Sequence, residues 1–445
     1  MRKTYGILLF SLLLSCKPVL EPKPIDILND DIALNDAEDV PTAEIGLYGA
    51  LRGMAAPTVI AGDLTADMAV NNGTFTQYIE LGTKQIRASN ANVESLWGNV
   101  YNTVYSANII LERLPKISGV PARQKTRTLA VARFLRGYAY FIAAHTFGDV
   151  PFVTSTNLTA NRNIAKSAKA TVLDSVLADY QSALVNITDS SVDGYANKSV
   201  VRAALARFHL YQKNWTQAEL FATQIIDSKK YRLESQFKGV VEKDFSDESI
   251  FEMGYSISDD PGTSSTGLNN IFVGRREAIP SNQLLAQLLS TEAGERRATL
   301  TFNSTQQKGD DNGLSVAKYG TADADNNNIT LFRLAEMYLI RAEARVQQAK
   351  LTDAAEDVNV LRRRAKAPTV NATNQADMLL VIERERLYEL AFEGHRWYDL
   401  VRTGRAKAVM SAFSPNWKDA YERWPVPQTE IQRNPALAGA QNPGY

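Results

Sequence analysis

The sequence predicts a mainly α-helical protein, with a scaffold of tetratricopeptide-like helix pairs beside an irregular, loop-rich half. Three observations carry that prediction. Apolar residues recur at helical spacing along most of the 445-residue chain. Two segments, near 200–226 and 331–365, each read as helix, tight turn and second helix, with alanines where the pair would cross. The stretches between them are rich in Ser, Asp, Gly and Thr, a composition of long surface loops rather than of core.

Taken in chain order, the first element is a leader. Arg2 and Lys3 precede an apolar run from Gly6 to Ser15. Its length suits a secretory signal and falls short of the ~20 residues of a membrane span. Cys16 follows directly and is the only cysteine. It can form neither an internal disulfide nor a multi-cysteine metal site. Its place behind a small residue and a short apolar run predicts lipid attachment. Residues 1–15 are thus expected to be a lipoprotein signal peptide. Residues 16–41 are expected to be a tether, stiffened by Pro18, Pro22 and Pro24. The remainder, 42–445, is expected to form one body, with an N-terminal half to 235 and a C-terminal half from 236. Its hydrophobic content of 44% and charged content of 22% are ordinary for a globular chain. Basic and acidic residues balance at 49 each, which argues against nucleic acid as a partner.

The body opens with a helix from about Thr42, with Asp39 or Thr42 as its cap and Ile45, Leu47, Tyr48, Leu51 and Met54 along it. A polar stretch, 63–85, follows. Trp97, Val100, Val104, Ala107 and Ile110 mark the next helix. Ala130, Phe134, Tyr138, Phe141 and Ile142 mark another, ending near Gly148. The first helix pair breaks at Lys213-Asn214. The second is expected to start at Leu331 and break near Lys350. In its first helix Met337, Ile340 and Ala344 lie off the face of Leu331, so that helix is expected to be packed on two sides. Ile250 to Met253 and Asn270 to Val273 are short strand-like runs.

Several blocks then carry a resemblance. Arg133-Phe134-Leu135-Arg136-Gly137-Tyr138, continuing to Phe147-Gly148-Asp149-Val150-Pro151-Phe152, resembles the RFLRA-Y…YGDVPL signature of the SusD/RagB outer-membrane lipoproteins of Bacteroidetes. Arg333 to Ala344, Asn359 to Arg364, Glu383 to Leu400 and the ending Gln441-Asn442-Pro443-Gly444-Tyr445 are similar to later blocks of that family, in family order. The resemblance implies a SusD-like fold with four tetratricopeptide-like helix pairs and a loop-rich ligand-binding half. It implies a lipid-anchored protein at the outer membrane, facing the cell exterior, that caps a SusC-like TonB-dependent transporter barrel. Such a protein hands the barrel a nutrient oligomer, usually a glycan and in some members a peptide, without catalysis. It implies no cofactor beyond the lipid on Cys16.

The shared blocks read as scaffold. Glu383, Arg384, Arg386 and Glu389 have the spacing of ion pairs within one helix. Glu393, His395 and Asp399 have no HExxH-type spacing and read as structure rather than as a catalytic or metal cluster. Trp97, Trp215 and Trp397 read as core; Trp417 and Trp424, in the proline-flanked tail, read as platforms or as tail packing. The ligand site is then expected in the polar segments outside these blocks. Sugar recognition needs aromatic faces against the apolar side of a ring and fixed polar groups for its hydroxyls. Asp67, Asn71, Asn72, Phe75 and Tyr78 offer both within one short stretch, and Asn270, Phe272 and Arg275 offer both within a second. Two other readings compete. A helical glycoside hydrolase needs two carboxylates ~5–9.5 Å apart in a cleft, and a tetratricopeptide adaptor needs only a concave protein-binding groove.

Overall fold

The computed structural model describes residues 34–189, 193–255, 267–319 and 328–445; the expected signal peptide, Cys16 and most of the expected tether lie outside them. The N-terminal half is helical: α1 (Asp39–Leu64), α2 (Thr76–Thr83), α3 (Ala91–Arg113), α4 (Ala122–Thr146), α5 (Lys169–Asn186), α6 (Lys198–Tyr211) and α7 (Trp215–Asp227). The second half returns to helices at α8 (Leu334–Gln347), α9 (Leu351–Arg364), α10 (Gln375–Glu389) and α11 (Arg396–Arg402). Asparagines start several of them. Asn90, Asn197, Asn214 and Asn374 each accept a backbone N–H of the first turn of α3, α6, α7 and α10, satisfying donors that a helix start otherwise leaves open. The start of α1 differs from expectation. Glu38 holds the N-cap position without a side-chain bond, and the Asp39 carboxylate instead accepts Asn35 N at 2.7 Å.

Both helix pairs form, and they stack. α6 packs on α7, α7 on α8, and α8 on α9 and α10. Ala203, Ala218, Ala222, Ala335, Ala342 and Ala354 are buried at these crossings, where a small side chain lets two backbones approach. Ion pairs fasten the stack from the side. Arg207 of α6 forks Glu336 of α8 at 2.7 Å twice, and Arg345 of α8 joins Glu219 of α7 and Asp357 of α9. α8 feeds three separate apolar clusters: Met337 and Ile340 enter the main core, Ala342 and Val346 meet Met378 and Ile382, and Leu339 meets Leu361 and Leu390. That is the multi-sided packing its sequence implied.

Strands are short and paired in twos. β1 (Ala69–Asn71) pairs with β3 (Ala278–Pro280), β2 (Ser249–Met253) with β6 (Ile329–Arg333), and β4 (Thr301–Asn303) with β5 (Leu314–Val316), all antiparallel. Two expectations need correction here. Residues 331–333 are the end of β6, so the second helix pair starts at Leu334; these residues hydrogen-bond to β2 before the chain turns helical. Asn270 to Val273 is not a strand but part of a single wide helical turn, closed by Arg275 N to Asn270 O at 2.7 Å.

The four charges read as ion pairs within one helix do not pair with one another. Arg386 bonds Asp399 of α11, Arg384 pairs with Glu292, and Glu383 takes Arg396 and Arg405. Glu389 lies in a buried network with Arg296, Arg333 and Arg364, and Glu248, Glu385, Glu393 and Lys318 extend it. α10 is covered on several sides, so its charges meet other elements before they meet each other.

The end of α1 touches the turn before α11 at one tight point. A Cβ on Gly62 would lie 2.0 Å from Gly394 O, and Gly394 has φ +78°, a conformation that favours glycine. Beside it, Asp63 accepts Gly394 N at 2.8 Å. Burial raises the Asp63 carboxyl pKa to about 8, so it is largely protonated at neutral pH. Trp97, Trp397, Trp417 and Trp424 are all buried, so both tail tryptophans pack rather than serve as platforms. Trp215 is half-buried: it packs against the main core and also lines a cavity. Among the described residues no helix is long and apolar enough to cross a membrane.

Candidate functional site

The two polar segments singled out in the sequence meet in space. The β1–β3 ladder continues past its last pair, with Asn72 N and Gly73 N both donating to Glu277 O at 2.7 and 3.3 Å. This brings Phe75 beside Arg275, some two hundred residues away in the chain. The Arg275 guanidinium sits over the Phe75 ring, 4.3 Å from its centre. Its side chain is 48% exposed, and its Nε lies 3.5 Å from Glu277. Glu277 itself is buried, and its carboxylate also accepts Phe75 N at 3.2 Å. A Cβ at position 73 would lie 1.8 Å from that carboxylate, so glycine there lets Glu277 reach the loop.

A third segment completes the rim. The connection between β4 and β5 is drawn in by Asp311, which Arg276 grips with both terminal nitrogens, at 2.8 and 3.0 Å. Asn72 Nδ2 donates to the same carboxylate and to Arg276 O, each at 3.1 Å. The Arg276 bonds hold the Asp311 carboxyl well below the usual carboxylate range. Lys308 Nζ donates to Arg275 O, and Gln306, Gln307 and Asp310 stand exposed around it. The result is a half-exposed aromatic ring with a guanidinium on its face, surrounded by amide, ammonium and carboxylate groups. Rings and fixed donors of this kind suit a polyhydroxylated ligand.

The structure sorts the expected site residues. Asn72, Phe75 and Arg275 lie at this rim; Asn71 ends β1 half-buried against Gly82 of α2, and Asn270 is half-buried at the start of the turn that delivers Arg275. Asp67, Tyr78 and Phe272 are corrected to structural positions. Asp67 is 2% exposed and spent on Arg396, which forks it at 2.8 and 3.0 Å. Tyr78 is 1% exposed, and burial pushes its hydroxyl pKa up to about 12. Phe272 is fully buried, stacked on Tyr319 and edge-on to Phe392. Sequence reasoning read the Asp310-Asp311-Asn312-Gly313 loop as polar but did not join it to the site. The bond that joins it, Arg276 to Asp311, spans 35 residues and has no local signature.

Comparison with known proteins agrees with this architecture. The SusD family model matches residues 306–445, and a second model, described as "Starch-binding associating with outer membrane", matches 45–210. The chain is 27% identical to a SusD-like protein of Formosa agariphila over 95% of both chains. It is 33% identical to the starch-binding protein SusD of Bacteroides thetaiotaomicron over 153 residues, 30% of this chain and 26% of that one. In fold it is similar to a laminarin-binding SusD-like protein, with a TM-score of 0.79 at 22% identity over 93% of this chain and 100% of that one. A SusD-superfamily protein of Bacteroides vulgatus gives 0.80 at 18% identity over 92% and 99%. A SusD family model thus matches the last third of the chain and a second, SusD-like model matches much of its helical first half, and the chain shares the fold of SusD-superfamily structures along nearly its whole length.

Proposed function

We propose that this protein captures a glycan oligomer at the Phe75–Arg275 rim and passes it intact to a SusC-like TonB-dependent transporter barrel. In this reading Cys16 carries the lipid that holds it on the outer membrane, facing the cell exterior, and the expected tether of 16–41 is the spacer, its last three residues already belonging to α1. The observation that carries the proposal is the Arg275–Phe75 stack at a rim built from three chain segments. A laminarin-binding relative of the same fold supports the ligand class.

The partners of Glu277 and Asp311 support a reading of binding without cleavage. Hydrolysis of a glycosidic bond asks for one carboxyl group that gives up a proton and a second that acts as base or nucleophile. Glu277 is held by Arg275 and Phe75 N, and Asp311 is held ionised by Arg276. Asp311, held well below the usual carboxylate range by Arg276, is no proton donor at neutral pH. The test is a panel of β- and α-linked oligosaccharides offered to the chain from residue 16 onward carrying Cys16→Ala, with product analysis after long incubation. Retention of an intact oligosaccharide, and co-purification of the lipidated protein with a barrel from outer membranes, are the expected results. A shortened glycan would overturn the binding-only reading. Failure to bind any glycan, with binding of peptides instead, would move the ligand class.

A further inference from the structure

A cavity that shares no lining residue with the rim lies among the helix pairs. Its volume is about 520 Å³, within the range of small-molecule sites. One wall is a single face of α10, with Ala376, Leu379, Glu383 and Arg386 following one another at helical spacing and Leu390 just past its end. Lys213 and Trp215 face it from the turn between α6 and α7, and Glu343 comes from α8. Along α10 the lining changes from exposed or half-exposed apolar residues at Ala376, Leu379 and Leu380 to a buried floor at Arg386, Leu390 and His395.

The floor is chemically unfinished. Arg386 is 4% exposed and gives its Nε to Asp399 at 2.6 Å, but Nη1 and Nη2 are buried without a hydrogen-bond partner. Other arginines among the described residues leave at most one buried nitrogen so: Nε of Arg202, Arg276 and Arg364, and Nη2 of Arg296. Next to it, His395 is 8% exposed and makes no hydrogen bond through its ring to any described residue. Burial lowers its pKa to about 4, so it is a neutral ring with one N–H to give. The carboxylates of the wall are already taken: Glu343 by Arg402, Asp399 by Arg402 and Arg386, Glu383 by Arg405 and Arg396. What remains open is donors, at the bottom of an apolar shaft. An unpaired buried donor costs free energy that an acceptor of the right shape recovers, and a guanidinium fork matches a carboxylate in particular.

We infer that this cavity is a binding site for a small amphiphilic monocarboxylate, entering head first so that Arg386 and His395 hold its carboxylate while Leu379, Leu380 and Leu387 cover its apolar body. The site is separate from the glycan rim, so the failure of one reading leaves the other standing.

The experiment uses the chain from residue 16 onward with Cys16→Ala, purified without detergent, and titrates octanoate and 1-octanol in parallel. Heat is measured, together with Trp215 fluorescence against Trp215→Phe. Octanoate is expected to bind one to one and at least about tenfold more tightly than octanol, given the strength of charge-assisted hydrogen bonds. Arg386→Met is expected to remove that preference. Leu379→Glu, at the half-exposed mouth, is expected to weaken octanoate about tenfold while leaving the melting temperature in place; it keeps the test valid if Arg386→Met fails to fold. Equal binding of acid and alcohol, indifference to Leu379→Glu, or no binding of either at millimolar concentration would overturn the inference, the last showing that the floor is satisfied by water alone.

Discussion

Two faces of α10 treat charge in opposite ways. Glu385 and Glu389, four residues apart, are fully buried and meet arginines from three other parts of the chain: Arg296, Arg333 of β6, and Arg362 and Arg364 of α9. Glu383 and Arg386, three residues apart, line a cavity whose floor keeps two guanidinium nitrogens unpartnered. The first face joins elements; the second leaves room for something from outside. The difference teaches that charge density alone does not mark a site here. Many of the charged residues on α10, α9 and β6 are structural, and the informative group is the buried donor with no acceptor.

The largest test of this contrast is Glu389→Ala. It would take one carboxylate from buried Arg296, Arg333 and Arg364, leaving them Glu385, Glu248 and Glu393 to share, and removing one partner of a buried pair costs about 3–5 kcal/mol. Chemical denaturation is expected to show a loss of that order. A loss below about 1 kcal/mol would mean that water reaches the network and that the first face is not a joint.

Asp63 sharpens the comparison by pH. Its native pKa of about 8 lies above the ordinary carboxyl value of 3.8. Between those values the folded state holds a proton that the unfolded state has released, so this group makes stability fall as pH rises through that window. Asp63→Asn removes the term while keeping an acceptor for Gly394 N. The variant is expected to gain on the wild type by about 1 kcal/mol per pH unit between pH 4 and 8. Parallel stability curves for the two proteins would contradict the protonated assignment.

The helical scaffold was legible because its signals are local. Apolar spacing, alanines at the crossings and the Lys213-Asn214 break all act within a few residues of themselves. The two polar segments of the rim were legible for a similar reason, since Phe75 and Arg275 stand in polar surroundings. Within those segments sequence did not separate inward from outward. Tyr78 lies three positions after Phe75, on a helix whose other side packs into the core, and Phe272 looks like Phe75 until Tyr319 and Phe392 cover it. Asp67 read as a free carboxylate because Arg396, its partner, lies 329 residues away. The ion pairs of α10 were misread in the same way, from spacing along one helix when the partners came from elsewhere.

A small effect is expected where charges meet in solvent. Arg363 and Glu356 pair on the outside of α9 with side chains 51% and 60% exposed. Arg363→Ala is expected to change stability by at most about 1 kcal/mol, against the several expected for Glu389→Ala one layer inward. Comparable losses at the two positions would erase the distinction between joining and solvated charges.

The central claim is that the rim, not the buried charge network, holds the glycan. The direct measurement is calorimetric titration of laminarin oligosaccharides, or of whichever glycan the panel selects, into wild type, Phe75→Ala and Arg275→Ala. Losing a stacked ring or a charged hydrogen bond of about 1–1.5 kcal/mol predicts binding about tenfold weaker for each variant, with melting temperatures close to the wild type for Arg275→Ala. Binding unchanged in both variants would contradict the account and place the glycan elsewhere on the molecule.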